Sequence, residues 1–323
     1  MTEPVVDVHL IPADAERSLR RDARVGLTAN PRWLPPKWFY DARGSELFEQ
    51  ITRLPEYYPT RAERSILATH AAAIARRSGA RTLVELGSGS SEKTRLLLDA
   101  LQAAGSLRRY VPLDVSASAL VEAVAAIHGD YPTLAIHGVV ADFTAHLDRI
   151  PGQAPRLVAF LGGTIGNFLP HERADFLGAL RDILVPGDFL LLGSDLVKDP
   201  GVLVPAYDDA AGVTADFNRN VLAVLNRELG ADFDLGNYQH VAIWDPRNEW
   251  MEMRLRASAT ARVTLSELDL DIVLRAGEEI RTEISAKFRK EGVDGELAKA
   301  GFEMDSWWTD AKGLFALSLA RVR

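Results

Sequence analysis

The chain has 323 residues, 25% charged and 47% hydrophobic, with 24 Gly, 16 Pro and no Cys, which suits a packed core of one large or two ordinary domains. Its 37 Lys and Arg against 45 Asp and Glu leave a net charge of −8, which disfavours nucleic-acid and anionic-membrane partners and favours a small molecule. Without cysteine there is no disulfide, thiol nucleophile or cysteine zinc site, and the scattered histidines suggest no metal.

The first thirty residues hold no apolar block long enough for a signal peptide, and no run approaches the ~18 apolar residues of a membrane span. A soluble, cytoplasmic protein is expected. Residues 62–77 carry apolar positions at helical spacing and precede the apolar run Thr82 to Leu86, which reads as helix and then buried strand. The alternation continues with a helix near 92–104, a strand at 110–113, a helix at 117–127 and a strand near 135–140. The runs at 157–161 and 189–192, too short for helices, flank a helical stretch at 171–184; such runs mark strands buried on both faces of a parallel sheet. After Asp195 the pattern changes to one helix-like stretch at 206–229 and period-2 segments at 240–244, 250–257 and 270–274. A short helix at 295–300 leads into strands at 302–308 and 314–322, which must pair antiparallel because a parallel crossover needs a dozen or more residues. A parallel sheet ending in an antiparallel hairpin resembles the Rossmann-like α/β fold of class I S-adenosylmethionine-dependent methyltransferases. Residues 61–196 and 287–323 are therefore expected to form the cofactor domain, and 1–60 with 197–286 a discontinuous α+β substrate domain.

Glu85-Leu86-Gly87-Ser88-Gly89-Ser90-Ser91-Glu92-Lys93 ends the first buried strand and opens a helix, where a doubly wound sheet binds its ligand. Glu92 stands where a dinucleotide fingerprint needs its third glycine, and no Gly-Lys-Ser/Thr phosphate loop is present. Glu85 before the glycines resembles the methyltransferase pattern Glu/Asp-x-Gly-x-Gly. A nucleoside ligand should leave two further marks. Asp114, 27 residues after Gly87, ends the second strand where a carboxylate meets a ribose diol, and Asp142-Phe143 after the third offers a polar group and an aromatic face for adenine. Each Asp could equally cap a helix. Lys93 either meets the methionine carboxylate or is a solvated first-turn lysine.

Leu161-Gly162-Gly163-Thr164-Ile165-Gly166-Asn167-Phe168 ends the fourth strand. A side-chain amide there can hold an amine without protonating it, because it accepts and donates but does not titrate. The alternative, a helix-entry turn with Asn167 as cap, leaves the glycine density unexplained.

Several segments together resemble the histidine Nα-methyltransferases of ergothioneine biosynthesis. They are Pro35-Pro36-Lys37-Trp38-Phe39-Tyr40-Asp41, Leu54-Pro55-Glu56-Tyr57-Tyr58-Pro59-Thr60-Arg61, Glu85 to Gly89, Gly162 to Asn167, Ala206-Tyr207-Asp208-Asp209-Ala210-Ala211-Gly212-Val213-Thr214 and Glu283-Ile284-Ser285-Ala286-Lys287-Phe288. The resemblance spans essentially the whole chain; Gly163 departs from it, standing where other members carry Ser. It implies trimethylation of free L-histidine to hercynine, through mono- and dimethyl intermediates, with S-adenosyl-L-methionine converted to S-adenosyl-L-homocysteine. It implies that Tyr57, Asn167 and Tyr207 hold the carboxylate and α-amine, Asn167 and Tyr207 taking part in catalysis. Glu283 and Ser285 would grip the imidazole, with Tyr40, Phe48 and Met253 lining the pocket and Gly162 and Thr164 near the amine. On the cofactor side it implies Gly87, Lys93, Asp114, Asp142 and Phe143.

Glu283 and Ser285 are two apart on a strand-like segment and so share a face; the bland alternative is a solvent-facing alternation of Glu279, Arg281, Glu283 and Ser285. A competing substrate is another free amino acid such as tryptophan, although an indole offers one donor and no acceptor to a Glu/Ser pair. A non-catalytic S-adenosylmethionine sensor is the alternative of another class. The chain is expected to act as a monomer.

Overall fold

The computed structural model describes residues 3–89 and 91–323, so Ser90 of the glycine loop lies outside the described residues. The chain divides into two compact units: Met1–Leu10, Pro59–Val197 and Phe288–Arg323 form the first, and Ile11–Tyr58 with Lys198–Lys287 the second.

The first unit is built on one sheet. Its described strands run in the order Val5–Val8, Ala135–Val140, Arg109–Asp114, Thr82–Leu86, Arg156–Phe160, Phe189–Asp195, Phe315–Val322 and Phe302–Thr309. The first six pair parallel. The last two form an antiparallel hairpin whose second strand also pairs antiparallel with Phe189–Asp195. This is the class I methyltransferase sheet. Thr82–Leu86 is buried at every position, as an apolar strand covered on both faces must be. Helices Pro59–Ser78 and Thr94–Ala103 supply Leu67, Ile74, Leu97 and Leu101 to the core. From Thr82–Leu86 the chain winds outward through 109–114 and 135–140, then returns to 156–160 on the other side. The strand order thus reverses at the carboxyl ends of 82–86 and 156–160, where open α/β sheets bind ligands.

The amino terminus departs from the expected division. Val5–Val8, placed by sequence in the substrate domain, extends the cofactor sheet by pairing with Ala135–Val140. It is a short, half-exposed edge strand carrying Asp7, with too little apolar signal to be seen.

In the second unit a sheet ordered Arg32–Trp33, Glu279–Ala286, Trp250–Ala257, Tyr238–Asp245 accompanies an antiparallel pair, Ala261–Leu265 with Leu270–Leu274. Helix Val213–Leu229 packs on the larger sheet and buries Phe217, Val221, Leu222 and Leu225. The single helix expected over 206–229 is two, Pro200–Tyr207 and Val213–Leu229. Asp209 makes the break: its carboxylate accepts the backbone N–H of Val213 at 3.0 Å and of Thr214 at 2.7 Å. Gly212 turns the chain at φ +76. Among the described residues no helix is long and apolar enough to cross a membrane.

Candidate active site

In the first unit the glycine loop is shaped by the ends of two strands. Gly87 and Gly89 adopt φ +71 and +48, a region that strains any residue with a Cβ. The Gly87 N–H donates to the Leu113 carbonyl at 2.8 Å, and Gly89 N–H to Asp114 Oδ2 at 3.0 Å. Asp114 does not cap the next helix. Ser116 does, accepting from the Ala119 N–H, while Asp114 Oδ1 accepts from the Ser116 N–H at 3.0 Å. Burial lifts the Asp114 carboxyl above its ordinary range although these backbone bonds pull it down. Glu85 serves the loop from below. It accepts from Tyr110 Oη at 2.5 Å and from Thr94 Oγ1, and Tyr110 also bonds Ser91 Oγ at 2.9 Å. Burial pushes Glu85 up to about 7.

Asp142 closes a turn by accepting from Thr144 N–H at 2.8 Å. Phe143 meets Phe160, Phe168 and Phe176 edge-on at 5.2, 6.3 and 6.0 Å, and a methyl group on Gly87 would lie 3.8 Å from its ring. A glycine backbone free to approach a ligand, a carboxylate at the strand end and an aromatic face fit S-adenosylmethionine. Lys93 is no solvated lysine: it is 24% exposed and ion-paired with Glu63.

At the second reversal point Gly162 and Gly163 adopt φ +77 and +72. Thr164 Oγ1 returns to the Leu161 carbonyl at 3.0 Å. Asn167 ends the 3-10 turn Thr164–Asn167, which Gly163 caps, and the next helix starts from Leu169. Asn167 therefore caps neither, and the helix-cap alternative fails.

The second unit gathers the remaining predicted residues into two groups. Tyr40, Phe48 and Tyr57 share an aromatic cluster: Tyr40 and Phe48 are 5.6 Å apart, Phe48 and Tyr57 6.2 Å. Phe217, which sequence reasoning missed, lies 5.5 Å from Tyr40 and 5.9 Å from Phe48. The other group stands on the sheet. Arg281 pairs with Arg254 and Glu283 with Met253, so Thr282 is an extra residue between them. This bulge breaks the alternation. Glu279 and Arg281 stay on the face of Arg254 and Arg256, whereas Glu283 and Ser285 join that of Met253 and Met251. The solvent-facing alternative is thereby excluded. Thr282, buried, bonds Asn218 Oδ1 at 2.6 Å, which holds the bulge against the helix.

Tyr207 Oη and Ser285 Oγ are 2.7 Å apart, and Lys287 Nζ donates to each at 2.8 Å. Lys287 is 4% exposed and went unassigned in the sequence although it lies within the last motif. A cavity of about 570 Å³ in this unit is lined by Arg32, Glu252, Arg254, Glu278, Glu279 and Arg281, among others, and by none of the predicted substrate residues.

His240 ties the Tyr207 backbone to the same helix. Its Nε2 bonds the Tyr207 carbonyl at 2.7 Å and its Nδ1 faces Asn218 Nδ2 at 2.8 Å. Asn218 donates there, so the neutral ring with its proton on Nε2 fits, and burial lowers the pKa from the ordinary 6.5. The unfolded chain takes up this proton below about 6.5 and the folded chain only at lower pH, so His240 costs stability as pH falls. Glu85 runs the other way: raised from 4.5 to about 7, it stabilises most below 4.5 and loses that contribution as pH rises through 7. The difference between wild type and His240→Gln isolates the first effect. The melting temperature of the variant, relative to wild type, should rise between pH 7.5 and 5.5 (roughly one unit either side of the ordinary His value); a pH-independent difference would remove His240 from this account.

A family model described as "Histidine-specific methyltransferase, SAM-dependent" matches residues 19–322. Histidine N-alpha-methyltransferase of Mycolicibacterium smegmatis is 60% identical over 312 residues, covering 97% of each chain. The protein of the same name from Mycobacterium tuberculosis is 57% identical with the same coverage. Ergothioneine biosynthesis protein 1 of Neurospora crassa is 33% identical over 90% of this chain and 34% of its own length. With its class I sheet, its cofactor loop and this match over nearly its whole length, the chain belongs to the histidine-specific, S-adenosylmethionine-dependent methyltransferase family.

Proposed function

We propose that this enzyme transfers three methyl groups to the α-amine of free L-histidine, forming hercynine for ergothioneine biosynthesis. The observation that carries the substrate assignment is the bulge at Thr282, which turns Glu283 and Ser285 to the face that bears Met253 and Tyr207's hydrogen bond. A carboxylate and a hydroxyl two residues apart suit the two nitrogens of one imidazole; the carboxylate raises that ring's pKa and selects a side chain with a donor nitrogen. Tyr57, Tyr207 and Asn167 take the amino-acid end, with Gly162 and Thr164 beside the amine. The aromatic rings of Tyr40, Phe48, Tyr57 and Phe217 suit an amine that becomes a quaternary cation.

Bound S-adenosylmethionine supplies an electrophilic methyl group. Gly87, Asp114, Asp142, Phe143 and Lys93 hold it, Asp114 at the ribose, Phe143 at the adenine and Lys93 at the methionine carboxylate. The protein's contribution is then positioning and desolvation, with no covalent intermediate. Asn167 orients the amine nitrogen without protonating it. Each of the first two transfers releases a proton, which passes to Tyr207 Oη or a water. The third transfer yields a quaternary nitrogen and releases none. Since both sets of ligand groups belong to one chain, a monomer suffices, and the cytoplasm offers both small molecules.

Mass spectrometry of histidine incubated with enzyme and S-adenosylmethionine should show products one, two and three methyl groups heavier, with tryptophan unmethylated in parallel. Methylated tryptophan and unchanged histidine would overturn the substrate assignment; no methylation of any amino acid would leave a cofactor sensor. Asp114→Ala should weaken S-adenosylhomocysteine binding by about 10-fold, the scale of one hydrogen bond to a charged group, and leave histidine affinity unaltered. Calorimetry showing unchanged S-adenosylhomocysteine affinity would contradict the ribose assignment.

A further inference from the structure

Glu63, on the helix Pro59–Ser78, has a side chain with no exposure to solvent. Burying a carboxylate is costly unless every lone pair facing the protein is answered. Two groups from different loops answer this one. The Gly162 N–H donates to Oε1 at 2.8 Å and Oε2 at 3.1 Å, and Lys93 Nζ donates to Oε2. Lys93 caps the helix that follows the glycine loop, and Gly162 opens the loop that carries Asn167. The sheet makes room for this carboxylate. At Gly193 any Cβ would stand 2.3 Å from Glu63 Oε1, so the strand keeps a glycine where the side chain enters.

We propose that Glu63 is a positioning residue that aims Lys93 at the amino-acid end of S-adenosylmethionine, while fixing the start of the Asn167 loop with its other oxygen. The proposal rests on the assignment of Lys93 to the methionine carboxylate. Buried as it is, Glu63 does not itself touch the ligand. A lysine side chain has four rotatable bonds and correspondingly large rotamer freedom. The ion pair removes that freedom before the ligand arrives and leaves the other two ammonium protons to the incoming carboxylate.

The test compares two ligands that share adenosine and a thioether and differ in the amino-acid moiety, S-adenosylhomocysteine and 5′-methylthioadenosine. Glu63→Gln keeps the shape but sets an amide N–H₂ against Lys93 or the Gly162 N–H. We expect its S-adenosylhomocysteine affinity to fall about 10-fold, or about 1.4 kcal/mol, with methylthioadenosine affinity within about twofold of wild type. Retained methylthioadenosine binding also shows that the glycine loop is folded. Lys93→Met should lose the same selectivity, and the double variant should be no worse than Lys93→Met alone, because the two residues act as one. Equal loss of both ligands in Glu63→Gln would make Glu63 a packing residue. Unchanged or increased S-adenosylhomocysteine affinity would overturn the proposal outright. If Lys93→Met itself shows no selective loss, the Lys93 assignment fails first; if it does and Glu63→Gln does not, only the Glu63 proposal falls.

Discussion

Glu283→Ala should raise the histidine KM by 10-fold or more, about 1.4 kcal/mol or above, while leaving S-adenosylmethionine affinity nearly unchanged. The magnitude follows from losing a charge-assisted hydrogen bond, whose net worth is about 1.5–3 kcal/mol. Ser285 alone cannot compensate, because its oxygen already accepts from Lys287 and bonds Tyr207. Cofactor affinity should hold because the residues we assign to the cofactor, the glycine loop with Asp114 and Phe143, belong to the other unit. Glu279→Ala is the informative control. If the strand alternated without interruption, Glu279 and Glu283 would share a face; with Thr282 inserted, Glu279 sits among Arg254 and Arg256 instead. Half-exposed ion pairs of that kind contribute little, so Glu279→Ala should leave the histidine KM at its wild-type value. Calorimetry that finds equal histidine affinity in Glu283→Ala and wild type sinks the imidazole role, and a matching KM defect in Glu279→Ala would point to a general disturbance of the sheet.

The contrast between these two glutamates shows where the sequence is legible. Apolar runs such as Thr82 to Leu86 and Leu157 to Leu161 announce buried parallel strands by composition alone, and the reversal of strand order then puts the loops after them at the ligand site. Asp114 and Phe143 follow from strand ends for the same reason. The bulge is invisible to such reasoning, because one inserted Thr in a period-2 segment looks like continued alternation. Thr282 there donates to Asn218 Oδ1, 64 residues away, a tertiary bond that the segment's own pattern does not show. Phe217 was missed because an aromatic on a helix reads as core, and here it is core and cluster at once. Lys287 follows Ser285 by two, and only the fold shows that its ammonium reaches Ser285 and Tyr207 rather than water. The break at 208–212 hid because Asp209 and Gly212 act as punctuation only when the carboxylate is seen to turn onto Val213 and Thr214.

Asn167→Ala should lower kcat by about 100-fold, the scale that a misplacement of about 1 Å costs in a reaction driven by orientation. Asn167→Asp separates orientation from protonation. The two side chains are nearly the same shape, but a carboxylate beside an amine favours the ammonium form, which has no lone pair to offer. Histidine should therefore bind the Asp variant at least as tightly as wild type, with kcat reduced as far as in the Ala variant or further. The split between retained binding and lost turnover is the signature, since removal of a uniform binding contact would raise KM and spare kcat. The defect should ease as pH rises, because alkaline solution restores the free amine against the carboxylate's pull. The position supports this use. Asn167 closes the turn after two left-handed glycines, is half-buried and caps no helix. An Asp variant with wild-type kcat would show that the amine's protonation is governed elsewhere, and would leave Tyr207, with Lys287 donating to its oxygen, as the group to examine.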